Sequence, residues 1–325
     1  MITLGIEGTA HTFAAAILEG KKVIADARDS YTTQAGGIVP KQAAEHHKTV
    51  GNKIIMEAFK QANIELDDIH LIAFSNAPGM PPCLRTTRDI AVNLSINHDK
   101  KIIGVNHAIA HLMSGHLFSP AKNPVYLYVS GANTQIISLE GNRFRILGET
   151  LDTAIGNSLD KFARELGLGF PGGPIIEELA KDGKYIELPY IVKGMDLSFA
   201  GILTNAIRKH QSGSKKEDLC FSMQETCFSM LAEVTERALA HTRKDELVLI
   251  GGVAANKRLI EMLAIMCKER QSRFYTVPLK YSGDQAVMIA YLGYLMSLAG
   301  SKQSKQDIYP YQRADEVEIT WTDYL

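Results

Sequence analysis

Cysteine is scarce in this chain: four in 325 residues, Cys83, Cys220, Cys227 and Cys267, with no CxxC pair among them. That argues against a zinc knuckle or a thioredoxin-like motif and leaves reduced core thiols of a cytosolic protein. Charge of one sign is lacking too, since 35 basic residues face 36 acidic ones. Split at residue 122, the front carries 12 basic and 11 acidic residues and the back 23 and 25. Neither half is a basic module, so any contact with nucleic acid uses a local patch or charge from a partner. The first residues, Met1-Ile2-Thr3-Leu4-Gly5-Ile6-Glu7, carry no basic leader and an early acid, unlike a signal peptide. No long apolar run is present. The uncharged stretch from Gln285 to Ser301 is broken by Gly293 and Gly300 and reads as a buried helix, with no membrane span. GxxxxGK[ST] does not occur, which removes the P-loop fingerprint, and the one GxGxxG spacing, Gly167–Gly172, follows the helix expected over 157–166 and not a strand, so it supports no dinucleotide fold.

What is present is an ordinary globular composition, 46% hydrophobic and 22% charged, at a length that suggests about two domains. Ile2–Ile6, Phe13–Leu18 and Val23–Ala25 read as strands, with Glu19-Gly20 as a hairpin turn. A helix is expected over Pro40–Asn63 and a strand over His70–Ser75. A Pro/Gly loop follows at Pro78–Pro82, then a helix capped by Thr86 or Thr87 that runs through Asn97. Ile102–Val105 is a strand, and His107 opens a helix. Then the pattern restarts. Val125–Val129 is a strand, Ser130–Thr134 turns, Gln135–Leu139 runs out, and Glu140-Gly141 turns into Phe144–Leu147. The offset is 123 residues at the first strand and 121 at the hairpin, so a strand–glycine–hairpin unit occurs twice. Later elements are helices over 157–166, 173–181 and 217–243, strands over 246–250 and 274–277, a glycine turn at 251–256 leading into a helix, and a last helix from Ser282 or Asp284. The expected architecture is a bilobed, duplicated α/β protein with a ligand between lobes. Lobe I covers 1–122 and lobe II 123–300, with a tail at 301–325 packing back on lobe I.

His107 and His111 stand four apart, one helical turn, on one face. Both imidazoles can reach one metal at roughly 2.1 Å. A third ligand could be His116, Asp99 or Asp284, and spacing does not choose. Ala108 stands where a zincin needs its glutamate, which argues against a peptidase. Three glycine turns after strands, at Glu7-Gly8-Thr9, Ser130–Thr134 and Gly251–Ala254, could cradle phosphate through backbone N–H groups. A binding scaffold without catalysis would use the same turns. Gly167–Pro174, between Asp160 and Glu177, is a loop fit for close approach to a ligand. His46 and His47 read as a polar face or interface, and Phe221 and Phe228 as core or partner surface.

These pieces stand in a familiar order: Gly5–Thr12, Pro40–His47, Val105–His111, Val129–Gln135, Gly167–Pro174, Met195–Phe199 and Gly251–Asn256. Over nearly the whole chain they resemble the universal tRNA N6-threonylcarbamoyladenosine synthase family, in the form of archaeal KEOPS catalytic subunits. The resemblance implies the actin-like ATPase and sugar-kinase superfamily fold. It also implies a metal-assisted acyltransferase in the cytoplasm. Such an enzyme moves a threonylcarbamoyl group from threonylcarbamoyl-adenylate to N6 of the adenosine 3′ of the anticodon in tRNA, releasing AMP. It implies one divalent metal, iron before zinc, on His107, His111, Tyr128 and Asp284. It places the adenylate on Tyr128, Val129, Ser130, Gly131 and Ala132, with Asp160, Gly173, Glu177 and Asn256 at the nucleotide and ATP or AMP able to occupy the same site. It assigns no general base. The implied partners are a small dimerisation subunit and a small kinase-like ATPase. Some archaeal members carry that kinase fused at the C-terminus, and this chain ends at Trp321–Leu325, where a fusion would continue. Three departures stand out: Pro81 in place of a glycine, Ala132 in place of the second glycine after Ser-Gly, and Gly283-Asp284-Gln285 in place of Asp-Asn-Gly.

Overall fold

A computed structural model describes residues 1–32, 38–301 and 307–325. The described chain forms two compact units, Met1–Leu117 with Asp284–Leu325, and Phe118–Gly283. In the first, strands β1 (Ile2–Glu7), β2 (Thr12–Glu19) and β3 (Lys22–Ser30) precede helix α1 (Pro40–Ala62) and strand β4 (Leu71–Ala77). Helix α2 (Pro81–Asn97), strand β5 (Lys101–Asn106) and helix α3 (His107–Phe118) follow. The sheet order is β3-β2-β1-β4-β5, antiparallel through the hairpins and parallel from β1 to β5. The two parallel connections run through α1 and α2, as a parallel pair requires.

The second unit repeats this plan. Strands β6 (Val125–Val129), β7 (Thr134–Glu140) and β8 (Arg143–Glu149) precede helices α4 (Ile155–Glu165) and α5 (Gly172–Ala180). A two-strand ribbon, β9 (Val192–Lys193) and β10 (Asp196–Leu197), leads to helices α6 (Ala200–Gln211) and α7 (Lys216–Thr242). Strand β11 (Glu246–Ile250), helix α8 (Lys257–Glu269) and strand β12 (Arg273–Thr276) complete it. The sheet order β8-β7-β6-β11-β12 has the same pairing directions as the first sheet. The repeated unit read from short motifs is therefore one topology present twice. Central strands β1, β4, β6 and β11 are buried over nearly all of their length, which is why they read as mostly apolar runs without polar alternation. All four cysteines are buried and free, with Cys220 and Cys227 on α7 in the second core.

Several boundaries differ from expectation. Helix α2 starts at Pro81, a turn before the expected Thr86 or Thr87 cap. Two prolines suit the first helical turn, whose N–H groups have no partner in the helix anyway. Thr87 instead donates to the Gly8 carbonyl at 3.0 Å. Helix α6 had no counterpart in the sequence reading. The unit boundary at Gly283 also corrects the expected lobe II, which ran to residue 300. The reason is the last helix, α9 (Ala286–Leu298), which is apolar all round and buried against the first sheet. Glycine makes that packing possible. A Cβ on Gly5 would stand 2.3 Å from the Ala286 carbonyl oxygen, and one on Gly293 would stand 2.3 Å from the Ala73 Cβ. The tail lies on the same unit: Tyr309 N–H donates to the Asn76 carbonyl at 2.8 Å and the Trp321 indole N–H to Met113 Sδ at 3.4 Å. Residues 302–306 of that tail lie outside the described residues.

Candidate functional site

Strand β5 passes into α3 without a loop, because Asn106 caps the helix: its Oδ1 accepts from Ile109 N–H at 3.1 Å. His107 and His111 then project from one face, with ring centroids 4.7 Å apart and planes at 83°. Asp284, just ahead of α9, closes the group. Its Oδ1 lies 3.5 Å from His107 Nε2 and 3.3 Å from His111 Nε2. The three donor atoms lie within 4.8 Å of one another, and both histidines are buried. Two ligands held at about 2.1 Å around a tetrahedral ion stand about 3.4 Å apart, so the donors are spaced for one metal. Two imidazoles and a carboxylate suit a divalent transition metal.

Behind His107 lies a residue that the sequence reading had placed in a phosphate turn. Glu7 is fully buried at the end of β1. Its Oε2 accepts from His107 Nδ1 at 3.0 Å, and its Oε1 accepts from Thr9 N–H at 2.8 Å and Thr9 Oγ1–H at 2.6 Å. The neighbouring Gly8 N–H donates to Ser75 Oγ at 3.1 Å. The Gly8 and Thr9 amides thus serve protein acceptors, and this turn is no phosphate cradle. Burial opposes charge on His107, yet Glu7 and Asp284 outweigh it and push the imidazole up to about 9. His111 moves the other way, lowered first by burial, while its hydrogen bond to Asp284 opposes the shift. Burial opposes ionisation of Asp284 too, but His107 and His111 hold its carboxyl well below the usual carboxylate range.

The second unit carries the expected nucleotide residues. In the Ser130–Thr134 turn, Ser130 N–H donates to the Asn133 carbonyl at 2.8 Å and Asn133 N–H to Ser130 Oγ at 3.0 Å, with Gly131 and Ala132 exposed at the tip. Tyr128 and Val129 are buried on β6 beneath it. Gly251 abuts the same strand end at φ 98°, where a Cβ would meet the Val129 carbonyl oxygen at 2.2 Å. A side chain is excluded there by both space and backbone. Glu177 and Asn256 meet at the start of α8. Asn256 Oδ1 caps Arg258 N–H at 2.9 Å and Leu259 N–H at 3.1 Å, and Glu177 Oε1 accepts from Lys257 N–H at 2.9 Å. Asp160 is half-buried and accepts from Gly172 N–H at 2.8 Å, so it pins the glycine-rich loop at the start of α5. Gly173 lies one residue further along that helix, with open space around it.

Residues 22–291 match the family described as TsaD, tRNA N6-adenosine threonylcarbamoyltransferase. A relative of that name from Thermococcus kodakarensis is 53% identical over 325 residues, covering 99% of this chain and all of its own. The chain belongs to the tRNA N6-adenosine threonylcarbamoyltransferase family. It is a transferase that modifies tRNA. A relative from Methanobrevibacter smithii, described as a probable bifunctional tRNA threonylcarbamoyladenosine biosynthesis protein, is 50% identical over 99% of this chain. Only 61% of that relative's length is covered. Among solved structures, the activator of the 2-hydroxyisocaproyl-CoA dehydratase from Clostridium difficile matches with a TM-score of 0.57 at 14% identity, covering 94% of this chain and 98% of its own. That likeness extends to the fold alone, an α/β fold whose topology is present twice.

Of the candidate third ligands that spacing left open, one stands at ligand distance from the histidines among the described residues. Asp284 joins the histidines; His116, buried on α3, and Asp99, in a left-handed turn at φ 49°, do not. Asp284 itself precedes α9, whose cap is Gln285, accepting from Met288 N–H at 2.9 Å. His47 is no surface residue: it is fully buried, its ring 5.5 Å from that of Phe13, while His46 pairs with Asp29 at 2.7 Å. Phe228 is core, and Phe221 lines a surface cavity of about 380 Å³ with Tyr185 and Tyr190. Among the described residues, no helix is long and apolar enough to cross a membrane. The residue missed was Glu7. Its only local signal is an acid ending an apolar strand, and its partner His107 is 100 residues away.

Proposed function

We propose that this transferase takes the threonylcarbamoyl group from threonylcarbamoyl-adenylate and delivers it to N6 of the adenosine 3′ of the anticodon. The carbamoyl carbon gains a bond to N6 and loses its bond to the adenylate oxygen. AMP leaves and N6 gives up a proton. The observation that carries this reading is the His107–His111–Asp284 group, its Nε2 and Oδ1 atoms at metal-ligand spacing in a chain of this family. A divalent ion, iron before zinc by family resemblance, would sit on these residues and act as a Lewis acid toward carbamoyl or phosphate oxygens. Tyr128 stands as a further ligand on that resemblance alone. The chain's own contribution is positioning, which can supply on the order of 7–11 kcal/mol of a barrier when reacting groups are aligned. The exposed amides of Gly131 and Ala132 suit the acyl-phosphate end of the adenylate, with Ser130 and Val129 holding their turn. Asp160, Gly173, Glu177 and Asn256 serve the nucleotide end, at the starts of α5 and α8.

The partners we infer are tRNA and the small dimerisation and kinase-like subunits of a KEOPS assembly, in the cytoplasm. The bifunctional description of relatives of which this chain covers 61% supports a second activity working beside this one, and the kinase-like identity of that partner rests on the family resemblance. A near-zero net charge fits a subunit whose partners supply much of the tRNA grip. The test is nucleoside analysis of tRNA incubated with this chain, synthetic adenylate and the partner subunits. The modified adenosine should appear 3′ of the anticodon with one AMP per transfer. AMP release without modified tRNA, or modification at another position, contradicts the proposal.

A further inference from the structure

We propose that Glu7 is the positioning residue of the metal centre: through His107 Nδ1 it sets the ring and tautomer that turn His107 Nε2 toward Asp284. This rests on the metal reading above. A carboxylate with no exposure at a strand end is costly unless its oxygens are satisfied, and Glu7 spends them in one direction. Oε2 takes the His107 ring at 3.0 Å, while Oε1 is held by Thr9 through its amide at 2.8 Å and its hydroxyl at 2.6 Å. Thr9 Oγ1 also lies 3.3 Å from His107 Nδ1, so both groups converge on the same ring nitrogen. The turn that presents them is itself pinned from two other elements. Ser75 on β4 accepts from Gly8 N–H at 3.1 Å, and Thr87 on α2 donates to the Gly8 carbonyl at 3.0 Å.

The ring nitrogen bonded to Glu7 is Nδ1; the one facing Asp284, at 3.5 Å, is Nε2. A proton kept on Nδ1 by a carboxylate leaves the Nε2 lone pair for a metal and makes it a better donor. Thr9 removes the remaining freedom by fixing the carboxylate. A purely structural ion pair has no need of that division between the two nitrogens.

The test is cobalt(II) titration of the full chain against a competing chelator, with the visible ligand-field spectrum recorded. Each variant's thermal midpoint is measured metal-free as a control for folding. Glu7→Ala should weaken cobalt(II) binding about 10- to 100-fold and alter the spectrum. Glu7→Gln keeps an acceptor for Nδ1–H and should recover most of the affinity. Thr9→Ala should lose several-fold, and it serves in place of Glu7→Ala if that variant does not fold. A folded Glu7→Ala or Thr9→Ala protein with wild-type affinity and spectrum overturns the proposal while leaving the metal reading intact. Wild-type chain that takes up no cobalt(II) overturns both.

Discussion

A methyl group added at Gly5 has no space, and the consequence reaches the metal centre. The new Cβ would stand 2.3 Å from the Ala286 carbonyl oxygen, 2.6 Å from Ala290 N and 2.8 Å from Ala290 Cβ. These are backbone atoms and a methyl stub, with no flexible side chain to swing aside. Ordinary contact begins near 3.4 Å, so the first turns of α9 must move out by about 1 Å. Overpacking of this kind costs about 1–3 kcal/mol. At about 2–4 °C per kcal/mol for a protein of this class, the metal-free midpoint of Gly5→Ala should fall by roughly 2–12 °C. Asp284 lies two residues ahead of Ala286 and now stands 3.3 and 3.5 Å from the two Nε2 atoms. Metal sites tolerate deviations of only about 0.2 Å in ligand distance. A 1 Å displacement of α9 should therefore weaken metal binding at least tenfold, though no ligand has been changed. Calorimetry of the metal-free variant and chelator competition on the same preparation measure the two effects. A Gly5→Ala protein with both wild-type midpoint and wild-type metal affinity would refute the link between helix packing and site geometry.

Three further outcomes are expected. His107 is pushed up to about 9, above the roughly 6.5 of an unfolded chain, because Glu7 and Asp284 outweigh the opposing effect of burial. The metal-free protein therefore holds an increment of stability that is complete below about pH 6.5 and lost as pH rises through 9. A metal must displace that proton, so apparent affinity should rise about tenfold per unit from pH 7 and level off above 9; a flat profile in chelator competition contradicts this. Asp152→Ala should fray the start of α6 at a cost of about 1–2 kcal/mol. Its carboxylate accepts from Phe199 N–H at 2.9 Å and Ala200 N–H at 3.0 Å. Hydrogen exchange should speed up at residues 200–203, and unchanged exchange there argues against that cap. Tyr128→Phe keeps the buried ring and removes only the hydroxyl; metal affinity should fall about tenfold if Tyr128 is a ligand, and unchanged affinity removes it from the set.

The duplicated topology was legible because each copy announces itself locally, by an apolar strand, a glycine turn and a Glu-Gly hairpin. Buried central strands and the i, i+4 histidines are likewise statements about near neighbours. Helix α6 was not legible. Its start is capped from outside, by Asp152 some fifty residues upstream, because its own N-cap position is Phe199, which has no side-chain oxygen. The unit boundary failed for a related reason: α9 follows the second sheet in sequence but packs on the first, through clearances at Gly5 and Gly293 that only coordinates display. Glu7 shows the same limit inside the site. An acid at the end of β1 next to a glycine looks like a turn, and its meaning arises only when folding brings β1 beside α3.

The most direct test joins metal to chemistry in one preparation. Wild-type chain and the His107→Ala/His111→Ala variant are each incubated with tRNA, synthetic threonylcarbamoyl-adenylate and the partner subunits, and bound metal is counted on the same samples. The expected result is one metal per chain and modified nucleoside from the wild type, and neither from the variant. Modified nucleoside at wild-type yield from the metal-free variant would contradict a metal-assisted transfer at this site.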